Sequence, residues 1–228
     1  MDDRAIFIII CVLVLFGCYL LYKLFYNRRA VFRRTLRKAP LTPITNAKDG
    51  ELVRVIGTVD YLDQPLTAPF SKRKGVFYYL RVEERKTSGS GSSKSHHWTK
   101  VHDEHRAKRF WVVEGKHRAL VDEEEVEGFL EMDEGDVTGF GIASTKQIEK
   151  FLMKRKVKTH EWYGMPKTLG CKEGIVSKGE RVVVWGRAQW VDAAEIEGSK
   201  YQGKVLRITA TDVDPVHLSD KADVLSIR

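Results

Sequence analysis

Two stretches of this sequence are alike: GELVRVIGTVDYLD at residues 50–63 and GERVVVWGRAQWVD at residues 179–192. Six of the fourteen positions are identical, and an aromatic residue stands twelfth in both. The shared glycines and the aromatic residues are Gly50, Gly57 and Tyr61 in the first copy and Gly179, Gly186 and Trp190 in the second. Apolar residues alternate with other residues in the first copy and the second copy is rich in valine, which predicts β-strands. Because a glycine inside a strand marks a bend or a close approach of another backbone, the doublet indicates a small, curved sheet.

The chain around the doublet is also rich in strand patterns. Strands are predicted at residues 76–84, 109–122 and 204–211, with weaker ones at 126–132 and 224–227. The serine- and glycine-rich residues 87–95 are expected at the tip of a long hairpin, and residues 146–156 form the one convincing helix. The fold class that follows is mainly β, an OB-like or related small barrel with one short helix; two pseudo-repeated halves are one form that it could take.

The first part of the chain differs in composition from the rest. Residues 5–22 form an uncharged stretch that is long enough to cross a bilayer as a helix. A cleaved signal peptide would begin with basic residues, whereas Asp2 and Asp3 stand here. We therefore expect a short non-cytoplasmic N-terminus at residues 1–4, a transmembrane anchor at 5–26, a basic linker at 27–43 and a β domain at 44–228.

A cluster of positive charge follows the predicted anchor. It consists of Lys23, Arg28, Arg29, Arg33, Arg34, Arg37 and Lys38, with no acidic residue among them. Basic flanks stay on the cytoplasmic side, so a single-pass protein with a cytoplasmic C-terminal domain is predicted. The cluster either binds anionic lipid at the membrane surface or only sets this topology.

The remaining charge argues against a nucleic-acid partner. The net charge of the chain is +8. Seven positive charges belong to the basic cluster and residues 1–4 contribute one net negative charge, which leaves +2 for residues 39–228. A nearly neutral domain lacks the basic surface that phosphate backbones require.

The cysteines exclude two further classes of domain. Cys171 is the only cysteine of the predicted soluble part, so neither a disulfide framework nor a cysteine-rich zinc module is expected. Cys11 and Cys18 lie seven residues apart in the anchor, near Gly17. They could contact a second anchor in a homo-oligomer, or be small apolar residues only.

No convincing catalytic set is present. His102 and His105 are weak candidates for metal ligands, because a turn between them would bring both rings close to a carboxylate. Cys171 with His160 would lack a third, orienting group. No nucleophile-elbow or phosphate-loop motif occurs. We expect no cofactor, and a binding function is favoured over an enzyme.

Three motifs carry a resemblance to a known family. They are ITNAKDG at 44–50 leading into the first copy of the doublet, LTAPFS at 66–71 with VFYY at 76–79, and KEGI at 172–175 leading into the second copy. The second motif contains Pro69 and Tyr78. The region 44–212 thus resembles the "beside a membrane" (BAM) domain of the mitochondrial ubiquitin ligase activator family, the GIDE or MULAN type. The resemblance implies membrane attachment and recruitment of a protein partner or substrate.

The resemblance does not extend to catalysis. Family members carry a C-terminal RING, whose cysteines and histidine hold two zinc ions, and this sequence has no such residues. E3 ubiquitin ligase activity is therefore implied by the family only. The alternative is an accessory OB-like subunit of a membrane protein quality-control assembly, in which the anchor itself carries assembly.

Overall fold

The computed structural model describes residues 3–25, 28–37, 39–89, 94–122, 126–130, 133–134, 145–160, 164–165 and 167–226. The helices are α1 (Asp3–Phe25), α2 (Arg28–Arg37), α3 (Thr145–Lys154) and α4 (Ala222–Leu225), with 3₁₀ turns at Ile44–Asn46 and Ala193–Glu195. The strands are β1 (Leu52–Tyr61), β2 (Leu66–Thr67), β3 (Lys74–Gly75), β4 (Phe77–Ser88), β5 (Ser95–Ala107), β6 (Phe110–Glu114), β7 (His117–Val121), β8 (Val126–Gly128), β9 (Asp133–Glu134), β10 (Leu169–Val176), β11 (Arg181–Asp192), β12 (Lys204–Thr209) and β13 (Val216–Ser219).

A closed five-stranded barrel forms the centre of the fold. The strands follow one another in the order β1-β6-β7-β12-β11, and β11 pairs with β1 to close the ring. The pairings around this ring are antiparallel except for β7 with β12, which is parallel. Beyond the ring, β13 pairs with β11 and β8 pairs with β13. The predicted mainly β class with a small barrel is thus confirmed.

The two copies of the doublet close the barrel by pairing with each other. In this antiparallel pair Val55 stands opposite Val184, at the middle of the paired segment. The first glycine of each copy also donates a hydrogen bond to the carbonyl oxygen at the tenth position of the other copy. These bonds are Gly50 N to Ala188 O at 2.8 Å and Gly179 N to Val59 O at 2.9 Å. The repeated sequence therefore produces a local two-fold arrangement at the seam.

The second glycine of each copy allows a close approach of the next strand. A Cβ atom at Gly57 would lie 2.6 Å from the Val112 side chain on β6 and 2.7 Å from the carbonyl oxygen of Val113. A Cβ atom at Gly186 would lie 2.6 Å from the carbonyl oxygen of Thr209 on β12. Any side chain here would push the neighbouring strand away, so glycine permits the curvature that closure needs.

The barrel interior is filled by one side of every strand. Val53, Val55 and Val59 point inward from β1, and Val182 and Val184 do so from β11. Phe110, Val112, Ala119, Val121, Leu206 and Ile208 complete this cluster from the other strands of the ring. Tyr61 and Trp190 are partly buried and pack against the same cluster. The inward-facing residues recur at every second position of a strand, which is the period of two that a strand shows in sequence.

A second sheet is built from two long insertions into the barrel. The order β5-β4-β10-β9 joins a hairpin that follows β1 to strands that precede β11. The long hairpin is present: Ser88 pairs with Ser95 at the far end of β4 and β5. One face of this sheet packs under α3, where Ile148 and Leu152 are buried against Leu80 and Leu169.

Helix α2 lies on the outside of the barrel. Its residues Phe32 and Leu36, one helical turn apart, are buried with Val183 and Trp185 of β11, on the face of that strand opposite the interior. Val224 of α4 belongs to the same cluster. The region predicted as a basic linker therefore includes a helix that is packed against the β domain.

Several sequence predictions need correction or completion. The expectation of one short helix after the anchor is wrong, because α2 and α4 are present beside α3. Residues 224–227 were expected to form a strand, whereas Val224 lies in α4. The strands β10 and β13 were not predicted. Of the expected edge strand at 126–132, β8 is present and residues 131–132 lie outside the described residues.

The predicted anchor falls on α1. In the part of the chain that the structure describes, no helix is long and apolar enough to cross a membrane. The transmembrane anchor at residues 5–26 stays a prediction.

Candidate functional site

The motif at residues 44–50 meets the second copy of the doublet. The indole nitrogen of Trp190 donates a hydrogen bond of 2.8 Å to the carbonyl oxygen of Ala47, and Trp190 N donates to the Asp49 carboxylate at 2.7 Å. Gly50 has φ +81° and Gly179 has φ +88°, a left-handed conformation that glycine adopts with little strain. These motif residues thus hold the seam of the barrel.

The two other motifs also meet, through Glu173 of the KEGI motif, to which the sequence analysis assigned no role. Glu173 is fully buried, and its carboxylate accepts hydrogen bonds from Phe70 N at 3.0 Å and Ser71 N at 2.9 Å. These amides directly follow Pro69, which is partly buried. Glu173 therefore fixes the loop between β2 and β3 to the second sheet, across about a hundred residues of sequence.

Tyr78 takes part in a polar network beneath α3. Its hydroxyl donates to Glu104 at 3.0 Å, and Arg155 donates to the same carboxylate through Nη2 at 2.7 Å. Burial, and then the Glu104 charge, raise the pKa of Tyr78 to about 12. Burial alone would raise the pKa of Glu104, but the hydrogen bonds from Arg155 and Tyr78 lower it below its usual value. The network ties α3 to the sheet.

The two histidines proposed as weak metal candidates lie on opposite faces of β5. His102 is edge-on to Phe151 of α3 at 5.9 Å between ring centroids. His105 stacks on Phe77, which belongs to the barrel cluster, at 6.0 Å. One metal ion cannot bind both rings in this arrangement. No cluster of three or more potential metal ligands occurs among the described residues.

The basic residues of the predicted membrane surface are distributed over two helices. Arg34 and Arg37 are exposed on α2, away from the side that packs on the barrel. Lys23 lies in α1, whereas Arg28, Arg29 and Arg33 lie in α2; Lys38 is outside the described residues. The side chains of Arg34 and Arg37 are thus accessible to a partner or a surface.

A groove opens on the outer surface of the barrel, where the ends of several strands meet. It has a volume of about 780 Å³ and is called the polar groove below. Its lining comprises Asp63, Gln64, Lys108, Arg109, Leu120, Asp122, Val191, Glu195, Ile196, Glu197, Gly198 and Arg207. The connection that follows β1 forms one wall, and the loop between β11 and β12 forms the other.

Two arginine–carboxylate pairs shape the walls of the polar groove. Arg109 binds Asp63 through two hydrogen bonds, of 3.0 and 3.1 Å, and its Nη2 also donates to the Glu197 carbonyl oxygen at 3.4 Å. Arg207 of β12 pairs with Asp122, directly after β7. Because two-pronged pairs fix both side chains, the groove is pre-shaped.

The lining of the polar groove holds ion-paired side chains rather than a serine or cysteine nucleophile. Its lining contains carboxylates and cations but no serine, threonine, cysteine or histidine. Cys171 lies elsewhere, in the second sheet, and burial followed by the Glu173 charge raises the pKa of its thiol to about 11. A thiol of that pKa is almost entirely protonated at neutral pH and is a poor nucleophile. The groove is therefore suited to binding.

Comparison with protein-family models, with curated proteins and with solved structures finds no match to this chain. The resemblance to the "beside a membrane" domain stays a prediction, carried by the motifs whose structural contacts are described above.

Proposed function

We propose that this chain is a membrane-tethered, non-catalytic binding protein whose barrel recruits a protein partner through the polar groove. The strand order β1-β6-β7-β12-β11, closed by β1 and with one parallel pair, supports an OB-like barrel. Barrels of this type bind ligands beside their second and third strands, between the loop after the first strand and the loop joining the last two. The polar groove occupies that position, and this is the observation that carries the proposal.

The charge of the polar groove favours a protein over a nucleic acid. Four carboxylates and three cationic groups line it, which gives one net negative charge. Glu195 and Glu197 are exposed, and neither carboxylate forms an ion pair with a residue that the structure describes. Exposed carboxylates repel a phosphate backbone but can accept a lysine or arginine side chain of a protein.

The tether is proposed from the sequence and from the surface of α1. Residues 5–22 are uncharged, and large apolar side chains of α1 are exposed, among them Leu13 at 62% and Leu15 at 69%. A surface this apolar is stabilised by contact with lipid or protein. The basic residues that follow would keep the barrel on the cytoplasmic side, close to anionic lipid. This arrangement makes recruitment at a membrane surface the proposed role.

Site-specific photocrosslinking of the full chain in cells tests the proposal. A photoreactive amino acid at Gln64, which is exposed in the polar groove, should capture a partner. The same amino acid at Val213, which is 86% exposed and outside the groove, should not. The double variant Glu195→Lys and Glu197→Lys should abolish capture from position 64. Capture that is equal from both positions, or that survives the charge reversal, would contradict the proposal.

A second experiment separates this role from that of an assembly subunit held by its anchor. Replacing residues 5–22 by an unrelated apolar helix should leave capture at position 64 unchanged, because the groove lies on the barrel. Loss of capture after the exchange would favour the accessory-subunit alternative.

A further inference from the structure

A second concave site lies on the other sheet, between α3 and the loop that joins β2 to β3. It has a volume of about 400 Å³ and is called the α3 cleft below. Its lining comprises Pro69, Phe70, Lys72, Gln147, Lys150, Phe151, Lys154 and Arg155. None of these residues lines the polar groove, so the two sites are separate.

The floor of the α3 cleft is aromatic. Phe70 and Phe151 contact each other with ring centroids 4.9 Å apart, and the Arg155 guanidinium lies 3.4 Å above the Phe151 ring. Phe151 remains partly exposed although its neighbours Ile148 and Leu152 are buried in the core beneath α3. The cleft thus offers an apolar contact to one ring or one long aliphatic side chain.

The rim of the α3 cleft is positively charged. Lys72, Lys150 and Lys154 are exposed, and Lys150 and Lys154 are four residues apart on one side of the helix. No carboxylate is found among the described residues of the lining. The Arg155 charge is already used by Glu104, so the three lysine ammonium groups carry the positive potential of the rim.

Both walls of the α3 cleft are held in place from below. Glu173 accepts hydrogen bonds from the amides of Phe70 and Ser71, which fixes the loop wall. Glu104 binds Arg155 at the end of α3, which fixes the helix wall. A site whose walls are already ordered loses little conformational entropy when a ligand binds.

We propose that the α3 cleft binds an acidic peptide segment that carries an aromatic or long aliphatic side chain. The carboxylates of the segment would pair with Lys72, Lys150 and Lys154, and its apolar side chain would contact Phe151. A concave shape with an aromatic floor fits an inserted side chain better than a flat lipid surface. The proposal is independent of the polar groove, because it uses other residues and the opposite charge.

Peptide binding to the full chain in a neutral detergent tests the proposal. The probe is a fluorescein-labelled octapeptide of glutamates with one central phenylalanine, followed by fluorescence polarisation. Wild-type protein should bind it, and a lysine octapeptide with the same phenylalanine should bind at least about tenfold more weakly. Equal binding of the two probes would overturn the proposal.

Variants with matched charge locate the bound peptide. Lys150→Glu with Lys154→Glu should weaken binding about tenfold or more, because two attractive charges become repulsive. Lys146→Glu with Lys158→Glu makes the same change of charge at exposed residues that do not line the cleft, and should change the affinity less than about twofold. An equal loss in both pairs would show that only the overall charge matters and would overturn the site.

A glycine variant guards against loss of folding as an explanation. Lys72 has φ +60°, a left-handed conformation in which glycine is less strained. Lys72→Gly should therefore keep or raise the melting temperature while it weakens peptide binding several-fold. Unchanged peptide binding would remove Lys72 from the site.

A vesicle competition distinguishes a peptide from a membrane as the occupant. Excess vesicles of phosphatidylcholine with phosphatidylserine are added to the bound peptide, and phosphatidylcholine vesicles alone serve as the control. Little displacement by either vesicle supports a peptide site. Displacement of the peptide from the wild-type protein by the anionic vesicles, but not by phosphatidylcholine vesicles, would overturn the proposal in favour of a lipid-binding surface.

Discussion

Replacing Glu173 by glutamine tests how the loop between β2 and β3 is held. The carboxylate of Glu173 is fully buried and accepts two hydrogen bonds, from Phe70 N at 3.0 Å and Ser71 N at 2.9 Å. Glutamine has nearly the same shape but only one acceptor oxygen, so one of the two backbone amides would face an NH₂ group. The variant therefore removes an acceptor without creating a cavity.

The expected cost can be worked out from these two bonds. A hydrogen bond to a charged acceptor contributes about 1.5–3 kcal/mol, and a buried donor without a partner costs about 1–3 kcal/mol. The lower cost of burying a neutral amide offsets part of this loss. We expect the substitution to destabilise the closed loop relative to the open loop by about 2 kcal/mol. This corresponds to a roughly thirtyfold larger population of the open loop.

Trypsin digestion reads out the opening directly. The loop carries Lys72 and Arg73 and is followed by Lys74 at the start of β3, and all three are trypsin sites. When closing is fast, the cleavage rate follows the population of the open state, so Glu173→Gln should be cut in this loop about thirtyfold faster than wild type.

The matched control is Glu51→Gln. Glu51 is exposed, and its carboxylate pairs only loosely with Lys48, at 3.7 Å. Removing this charge should therefore change the free energy of unfolding by less than about 0.5 kcal/mol. The same cleavage rate in Glu173→Gln and Glu51→Gln would refute the assignment of the loop clamp to Glu173.

Three further predictions concern the rest of the molecule. Because the pKa of Glu104 is lowered, its contribution to stability is present above about pH 4.3 and is lost as the pH falls through the lower folded-state pKa. Glu104→Gln should then reduce the loss of urea-measured stability between about pH 5 and pH 3, and an unchanged acid slope would contradict this. Phe32→Ala should lower the free energy of unfolding by about 2–4 kcal/mol, because the ring is buried. The control Val31→Ala, at a residue that is 43% exposed, should change this free energy little. Similar urea midpoints for the two variants would show that α2 is not part of the folded core. Gly57→Ala and Gly186→Ala should each cost about 1–3 kcal/mol or more in thermal unfolding, because either Cβ would meet the next strand at 2.6 Å, and a neutral effect at one of them would contradict the equivalence of the two copies.

The barrel was predictable from sequence because its strands are rich in β-branched and aromatic residues, and because the first copy of the doublet alternates in hydrophobicity. The second copy was recognised by its likeness to the first, since its outward-facing Val183 and Trp185 are also apolar, and the two copies are the closing strands. The strand β10 was missed because LGCKEGIV does not alternate. Leu169 and Ile175 are buried in the cluster under α3 while Val176 is buried in the barrel cluster, so apolar residues occupy both faces. A strand buried on both sides has no period-two signal.

The prediction of a strand at the C-terminal residues was wrong for another reason. The sequence ADVLSIR contains two β-branched residues, which favoured a strand at residues 224–227. The structure instead places Val224 in α4, where it is buried beside Phe32 and Val183. Tertiary contact with α2 and β11 decides the conformation of this short segment, and a local propensity does not report such contacts.

The polar groove could not be found from sequence spacing. Its residues come from five separate places in the chain, and Asp63 and Arg109 are 46 residues apart. The antiparallel pairing of β1 with β6 places Asp63 near Arg109. The parallel pairing of β7 with β12 places Asp122 next to Arg207. A parallel pairing between distant strands leaves no local signature.

The packing of α2 against the barrel limits the distance between the barrel and the surroundings of α1. If residues 27–43 were a flexible linker, its two ends would be about 23 Å apart on average, the typical end-to-end distance of seventeen residues. Only two residues separate the end of α1 at Phe25 from the start of α2 at Arg28, and a chain of that length spans at most about 11 Å. If α1 lies in a membrane as proposed, the barrel is confined to a thin layer above it. Its search for a partner then becomes nearly two-dimensional, and the height of a partner's binding segment above the bilayer becomes part of the specificity.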